Sequence, residues 1–295
     1  MRTTLKAALN ARAARRVAAM AGLAVLAGCA APVLTQTGLL TRYDHLTPSE
    51  ATATKSRIFI DKAAMAGVRT VRIVPTTFTA AVSGPGVTEQ ERRVVANAAD
   101  RALCYELSLR YDVVSSGPAD LTVRANITRA GLTNVPASGV AVGASAAITI
   151  AAQVGVGFAD TVGKVPVPRL PIGLGDLTVE AEAVDARRQQ RAAMVWAGGA
   201  NSFTNQARFS PVADIYDLAG DFGQDFGSYL ATGEDPFESE LTIPPYERIR
   251  VTMLGEMPRD PDCQAFGRAP GIDGIIGDSF GLPPDWTDKG PTAGR

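Results

Sequence analysis

The stretch "ADLTVRANITRA" (residues 119–130) decides the fold class. Leu121, Val123, Ala125 and Ile127 alternate with Thr122, Arg124, Asn126 and Thr128. Side chains on a strand point alternately to its two faces, so this pattern predicts a strand with one buried and one wet side. The pattern recurs in "DLTVEAEAVDA" (residues 176–186), with Leu177, Val179, Ala181 and Ala183 set against Thr178, Glu180 and Glu182. "RAAMVWAGG" (residues 191–199) follows after the short basic run Arg187–Gln190, and the two segments read as a hairpin with a solvated basic turn.

Working outward, "GVRTVRIVPTTF" (residues 67–78) is rich in β-branched residues and reads as a strand limited by Pro75. Thr88 with Glu91 three positions on fits a capping box. Val94, Val95, Ala98, Ala102, Tyr105 and Leu109 then recur at helical spacing, with Arg92, Arg93, Asp100 and Arg110 on the opposite face. "YDVVSS" (residues 111–116) reads as a short strand. Strand, helix and strand imply a right-handed crossover between parallel neighbours or near neighbours. A second helix is expected from Ser210-Pro211 through residue 230, with an apolar stripe of Ile215, Leu218, Ala219, Phe222, Phe226 and Tyr229. Asp214, Asp217, Asp221 and Asp225 read as its solvated acidic face rather than as a calcium site, which gathers its oxygens around one point. "YERIRVTMLG" (residues 246–255) is the candidate last strand. The sum is an α+β fold: a mixed, mainly antiparallel sheet of about five strands with two long helices on one face.

The chain begins with a basic, acid-free leader carrying Arg2, Lys6, Arg12, Arg15 and Arg16. The apolar run "VAAMAGLAVLAGCAAP" (residues 17–32) follows it. That run is too short to span a bilayer, so it reads as an export signal. The tetrad Leu26-Ala27-Gly28-Cys29 resembles the lipobox of bacterial lipoproteins, which implies cleavage before Cys29 and acylation of its thiol. Two or three acyl chains anchor a domain where one would not. Ala30 and Ala31 lack the aspartate of an inner-membrane retention signal, so the outer membrane, on its periplasmic side, is the expected address. The expected organisation is a signal peptide over 1–28 and a tether and lead-in over 29–66. An α+β domain over 67–255 follows, then a disordered tail over 256–295, rich in Pro, Gly and Asp. Within the tail, "IIGDSFGLPPDW" (residues 275–286) keeps large apolar residues that fit a docking segment, though a chance island is the reading favoured.

The whole chain carries 29 Lys+Arg and 30 Asp+Glu, and removal of the leader leaves a net charge of −6. Such a balance provides no electrostatic footprint for nucleic acid. The single histidine, His45, argues against a multi-histidine metal site and against His-dependent catalysis. No His-Glu-x-x-His, P-loop or metal-spaced cysteine pair is present. No catalytic residue, metal ligand or cofactor is therefore assigned. Beside Cys29, Cys104 and Cys263 remain; they read either as a disulfide or as buried thiols, and the helical setting of Cys104 favours the second.

Residues 131–175 interrupt the two alternating strands. Their centre, "GVAVGASAAITIAAQVGVGFA" (residues 139–159), has no charge but is dominated by Ala and Gly. It fits, in decreasing order, packing on its own domain, contact with membrane or partner, and a spanning hairpin of an oligomeric pore.

Taken in order, the lipobox, "TGLLTRYDHLTPSE" (residues 37–50), "VRTVRIVP", "ADLTVRANIT", the insert ending "VPVPRLPIG" and "LTVEAEAVDARRQQRAAMVWAGG" resemble a family of proteobacterial lipoproteins. That family is labelled only as a domain of unknown function (family 3313). The resemblance covers about residues 25–232 and implies an envelope location without an established activity. The functional expectation is an outer-membrane lipoprotein that is non-catalytic and binds a protein or stabilises an assembly. The alternatives are a subunit of an export or pore complex, and an enzyme with an unrecognised carboxylate site.

Overall fold

The computed structural model describes residues 32–82, 86–136, 173–201, 205, 208–238 and 246–290. In it the alternation at residues 119–130 becomes a central strand. Leu121, Val123, Ala125 and Ile127 are buried in the main core, while Thr122, Arg124 and Asn126 face the other side. Seven strands form one sheet: β1 (Thr47–Glu50), β2 (Thr54–Ile60), β3 (Thr70–Phe78), β4 (Asp112–Val113), β5 (Leu121–Gly131), β6 (Asp176–Asp185) and β7 (Gln190–Gly199). Their order is β1-β2-β7-β6-β5-β3-β4. β3 runs parallel to β4 and β5, and every other pairing is antiparallel. The α+β class and the crossover from β3 to β4 are thus as read from the sequence. So is the hairpin of β6 and β7, whose turn places Arg188 at φ 60°.

The helices are α1 (Lys62–Met65), α2 (Glu89–Ser108) and α3 (Ala213–Thr232), with α4 (Ile272–Ser279) and α5 (Pro284–Thr287) near the C-terminus. α2 starts at the expected capping box: the Glu91 amide donates to Thr88 Oγ1 at 3.2 Å, and Glu91 Oε2 accepts from the Thr88 amide at 2.7 Å. α3 starts two residues later than the Ser210-Pro211 signal and has no side-chain cap. It ends at Gly233, whose φ of 73° suits a residue without Cβ. Both long helices pack on one face of the sheet, where Trp196, Phe222, Phe226, Leu103 and Leu177 are among the largest fully buried side chains of the core. Gly223 and Gly227 let the two helices meet closely. A Cβ at Gly223 would lie 2.3 Å from the Ala99 carbonyl oxygen, and one at Gly227 would lie 2.6 Å from Glu106 Cβ.

Two expectations about the ends of the domain need correction. Residues 29–66 were expected to form a tether, yet 47–60 supply β1 and β2, which raises the strand count from five to seven. Only Ser56 and Ile58 of β2 are fully buried, so "TKSRIFI" shows too little alternation to stand out. Residues 246–255 are helical, a turn at Tyr246–Arg248 running into a π-type turn at Ile249–Met253. Arg248 and Arg250 alternate with Ile249 and Val251 and so imitate a strand. Only Val251 is buried, however, and Arg250 pairs with Glu247 at helical spacing, 3.1 Å away.

The outer face of β6 is not wet. Glu180 and Glu182 are fully buried beneath a strap formed by residues 32–46. Glu180 accepts from the Thr37 amide at 2.5 Å, the Leu39 amide at 3.2 Å and the Tyr43 hydroxyl at 2.5 Å. Glu182 accepts from the Thr41 amide at 2.8 Å, Arg124 Nε at 2.8 Å and Gln190 Nε2 at 2.5 Å. Burial pushes the Glu182 carboxyl up, but those donors outweigh it and hold it below the usual carboxylate range. Leu40 and Leu46 of the strap close over Ala193 and Val195 of β7. Two acidic residues inside an apolar alternation therefore serve as acceptors for backbone that would otherwise be unpaired.

Candidate functional site

The C-terminal segment is not a disordered tail. The structure joins Cys104 of α2 to Cys263, so the buried-thiol reading gives way to the bridge. Around it, Asn97 Nδ2 donates to the Phe266 carbonyl at 2.9 Å, and the Ser115 amide donates to Asp262 at 3.1 Å. Arg101 and Tyr216 both donate to Asp288 Oδ2, at 3.0 and 2.6 Å. Arg248 pairs with buried Glu106 at 2.6 Å. These contacts are few and widely spaced along the sequence, so no periodicity announces them.

Where this segment crosses the helices it roofs two clefts. The first, about 850 Å³, lies over α2 and is lined by Ile73, Asn97, Asp100, Phe266 and Lys289 among others. Asp100 is buried at its floor. It accepts from the Thr76 amide at 3.0 Å and the Thr76 hydroxyl at 2.6 Å. Burial pushes its carboxyl up to about 6, against the lowering effect of Thr76. The second cleft, about 560 Å³, lies between α2, α3 and the segment, and Arg101, Tyr216, Asp217, Asp221, Arg268 and Asp278 line it.

Of the four aspartates of α3, Asp221 is exposed as expected, but Asp214 is buried and Asp217 and Asp225 are partly covered. Asp214 is buried and accepts from the Gly175 amide at 2.8 Å and from Thr133 Oγ1 at 2.9 Å. Asp217 pairs with the buried guanidinium of Arg208, which also reaches Asp278 at 3.2 Å. Asp225 accepts from Trp196 Nε1 at 2.8 Å. Burial pushes its carboxyl up to about 7, helped by Glu106 and Asp235, against the Trp196 bond. Asp221 lines the second cleft, where desolvation and the charges of Asp217 and Asp225 push its carboxyl upward. The helical period located these residues correctly. It could not show that residues outside the helix would cover three of them.

The outer surface of the C-terminal segment carries large apolar side chains in water. Tyr246, Met253, Leu254 and Met257 are exposed, as are Ile272, Ile275 and Ile276 of α4. Spacing of i, i+3 and i+4 puts the three isoleucines on one side of α4. The two groups adjoin: a Cβ on Gly255 would lie 2.9 Å from Gly271 Cα. Contiguous exposed apolar surface of this kind marks contact sites, and methionine suits adaptable ones. The apolar island noted in the sequence is part of this belt. Its other part, around residues 246–257, was hidden within the expected strand.

Chemistry is sparse elsewhere. His45 Nδ1 is 3.4 Å from Asp44, and its ring packs edge-on against Phe59. Among the described residues no group of three His, Cys, Asp or Glu side chains is arranged to hold a metal ion. Nor is any helix among them long and apolar enough to cross a membrane. Cys29 and the centre of the insert, residues 139–159, lie outside the described residues.

The family model "Protein of unknown function (DUF3313)" matches residues 35–226. No curated protein matches the chain. Among solved structures, the PelC dodecamer from Paraburkholderia phytofirmans is 9% identical with a TM-score of 0.34, covering 60% of this chain and 97% of that one. The hypothetical protein CT253 from Chlamydia trachomatis is 10% identical with a TM-score of 0.29, covering 56% and 98%. Likeness at these TM-scores bears on neither the activity nor the assembly of this chain.

Proposed function

The chain belongs to this family of proteins of unknown function, and from that premise we propose that it is a non-catalytic outer-membrane lipoprotein, acylated at Cys29, that docks a protein partner in the periplasm. The observation that carries the reading is the apolar belt on the C-terminal segment. Met253, Leu254, Met257, Ile272 and Ile275 stay in water although the segment is fastened to the core. A segment ordered by a disulfide and ion pairs can present such a surface without the entropic cost of folding on contact. The Cys104–Cys263 bridge agrees with an oxidising compartment, and the leader and lipobox with export and anchoring. The family match ends within α3, so the belt lies beyond the part shared with the family. Partner choice on this reading belongs to this chain's C-terminal segment.

The test is in-cell photo-crosslinking from a benzophenone amino acid placed at Met253 or Met257, with Arg187 in the β6–β7 turn as control. Discrete adducts from the first two sites and none from the third are expected. The same adducts from all three sites, or none from either belt position, would overturn the docking reading. Labelled palmitate incorporated by the natural chain but not by Cys29→Ala tests the anchor separately.

A further inference from the structure

One end of the molecule collects features that belong together at a lipid surface. The strap enters there: the Val33 carbonyl accepts from Thr178 Oγ1 at 3.1 Å, near the start of β6. The start of α3 is tied to the same end through the bond from the Gly175 amide to Asp214, and the Thr133 amide donates to the Pro211 carbonyl at 2.9 Å. Just before Pro211, the Phe209 amide donates to the Gly281 carbonyl at 2.8 Å, which sets Phe280 beside it. Phe209 and Phe280 are 47% and 71% exposed, and Val33 is 48% exposed. Charges nearby pair with one another: Arg129 with Asp176 at 2.7 Å, and Arg208 with Asp278 at 3.2 Å.

We propose that this end, with Val33, Phe209 and Phe280, rests on the lipid bilayer. The inference depends on acylation of Cys29, and its argument is chain length. Four residue steps separate Cys29 from Val33, and a chain spans at most about 3.6 Å per residue, so the acylated cysteine lies within roughly 14 Å of Val33. The strap cannot lengthen this tether without giving up the bonds to Glu180 and Glu182. A ten-residue strand such as β6 is about 33 Å long, so the β6–β7 turn at the other end lies beyond the tether's reach when the sheet stands on the anchored end. Exposed phenylalanines beside the anchor supply apolar area for the interface, and an acyl chain and apolar side chains act additively in membrane attachment. The Met253–Met257 part of the belt is then left free for a protein.

The experiment uses the full acylated chain in vesicles of phosphatidylethanolamine and phosphatidylglycerol. Phe209→Cys, Phe280→Cys and, as control, Arg187→Cys are each labelled with an environment-sensitive dye; the native bridge keeps Cys104 and Cys263 from reacting. Emission at 209 and 280 should shift to the blue and be quenched several-fold more strongly by spin-labelled lipid than at 187. Equal quenching at all three sites, or stronger quenching at 187, in protein that floats with the vesicles would overturn the orientation and leave the lipoprotein reading intact. Protein that carries no acyl chain and fails to float would overturn the anchor, and the orientation with it.

Discussion

Asp225→Asn should stabilise the protein, and the gain should depend on pH in a defined way. Asp225 keeps one strong bond, from Trp196 Nε1 at 2.8 Å, and is partly buried near Glu106 and Asp235. Its carboxyl is raised from 3.8 to about 7. In that interval the native state binds more protons than the unfolded chain, so stability falls as pH rises. A rise of about three units corresponds to roughly 4 kcal/mol at most, at 1.36 kcal/mol per unit. Asp225 keeps part of its surface exposed, and solvent screening with relaxation of the site reduces the figure, so a gain of about 1–2 kcal/mol above pH 7 is expected. Asparagine keeps an acceptor for Trp196 and removes the repulsion on Asp221. Urea unfolding of the chain without its leader, with Cys29 replaced, gives the comparison at a series of pH values. The difference between variant and parent should grow between about pH 4 and pH 7 and level off above. A gain independent of pH, or a loss at pH 8, would refute the reasoning.

Cys263→Ser opens a bridge that spans 159 residues of sequence, and loop entropy sets the loss at up to about 5 kcal/mol. The urea midpoint should fall under oxidising conditions, and the two proteins should converge in reductant. Glu182→Ala leaves Arg124, Gln190 and the Thr41 amide without their acceptor, at a cost of about 3 kcal/mol. Limited proteolysis should then cut within residues 32–46 while the rest of the sheet resists. Gly223→Ala forces a methyl group to 2.3 Å from the Ala99 carbonyl oxygen. The overpacking of about 1–3 kcal/mol should outweigh the helix preference for alanine and lower the melting temperature.

The central sheet was legible because its buried positions repeat every second residue. Leu121 to Ile127 and Leu177 to Ala183 need no knowledge of their neighbours to be recognised. The capping box of Thr88 and Glu91 is equally local, since both partners lie within one helical turn. Most of the misses share one cause: a residue's surroundings were set by chain outside its own strand or helix. Glu180 and Glu182 look solvent-facing until residues 37–43, about 140 positions earlier, lie across them. Asp217 looks solvated until Arg208 turns back upon it. Gly223 and Gly227 carried a usable signal, small residues four apart on a helix, but the pattern does not name the helix they meet.

The two ends of the domain are secured by different chemistry, and this bears on how the proposed surface works. The N-terminal strap is held by carboxylates accepting backbone amides, an arrangement that needs no particular side chains along most of the strap. The C-terminal segment is held by one covalent bridge and by paired charges such as Arg248 with Glu106 and Arg101 with Asp288. That attachment spends little apolar surface, because only a few of the segment's apolar side chains, Val251 and Cys263 among them, are buried. Its isoleucines and methionines therefore remain outside, where a partner can reach them. A segment of the same composition packed by its own apolar residues would be ordered without the bridge and would present a polar surface. Dependence of partner capture on the Cys104–Cys263 bond follows directly from this division of roles.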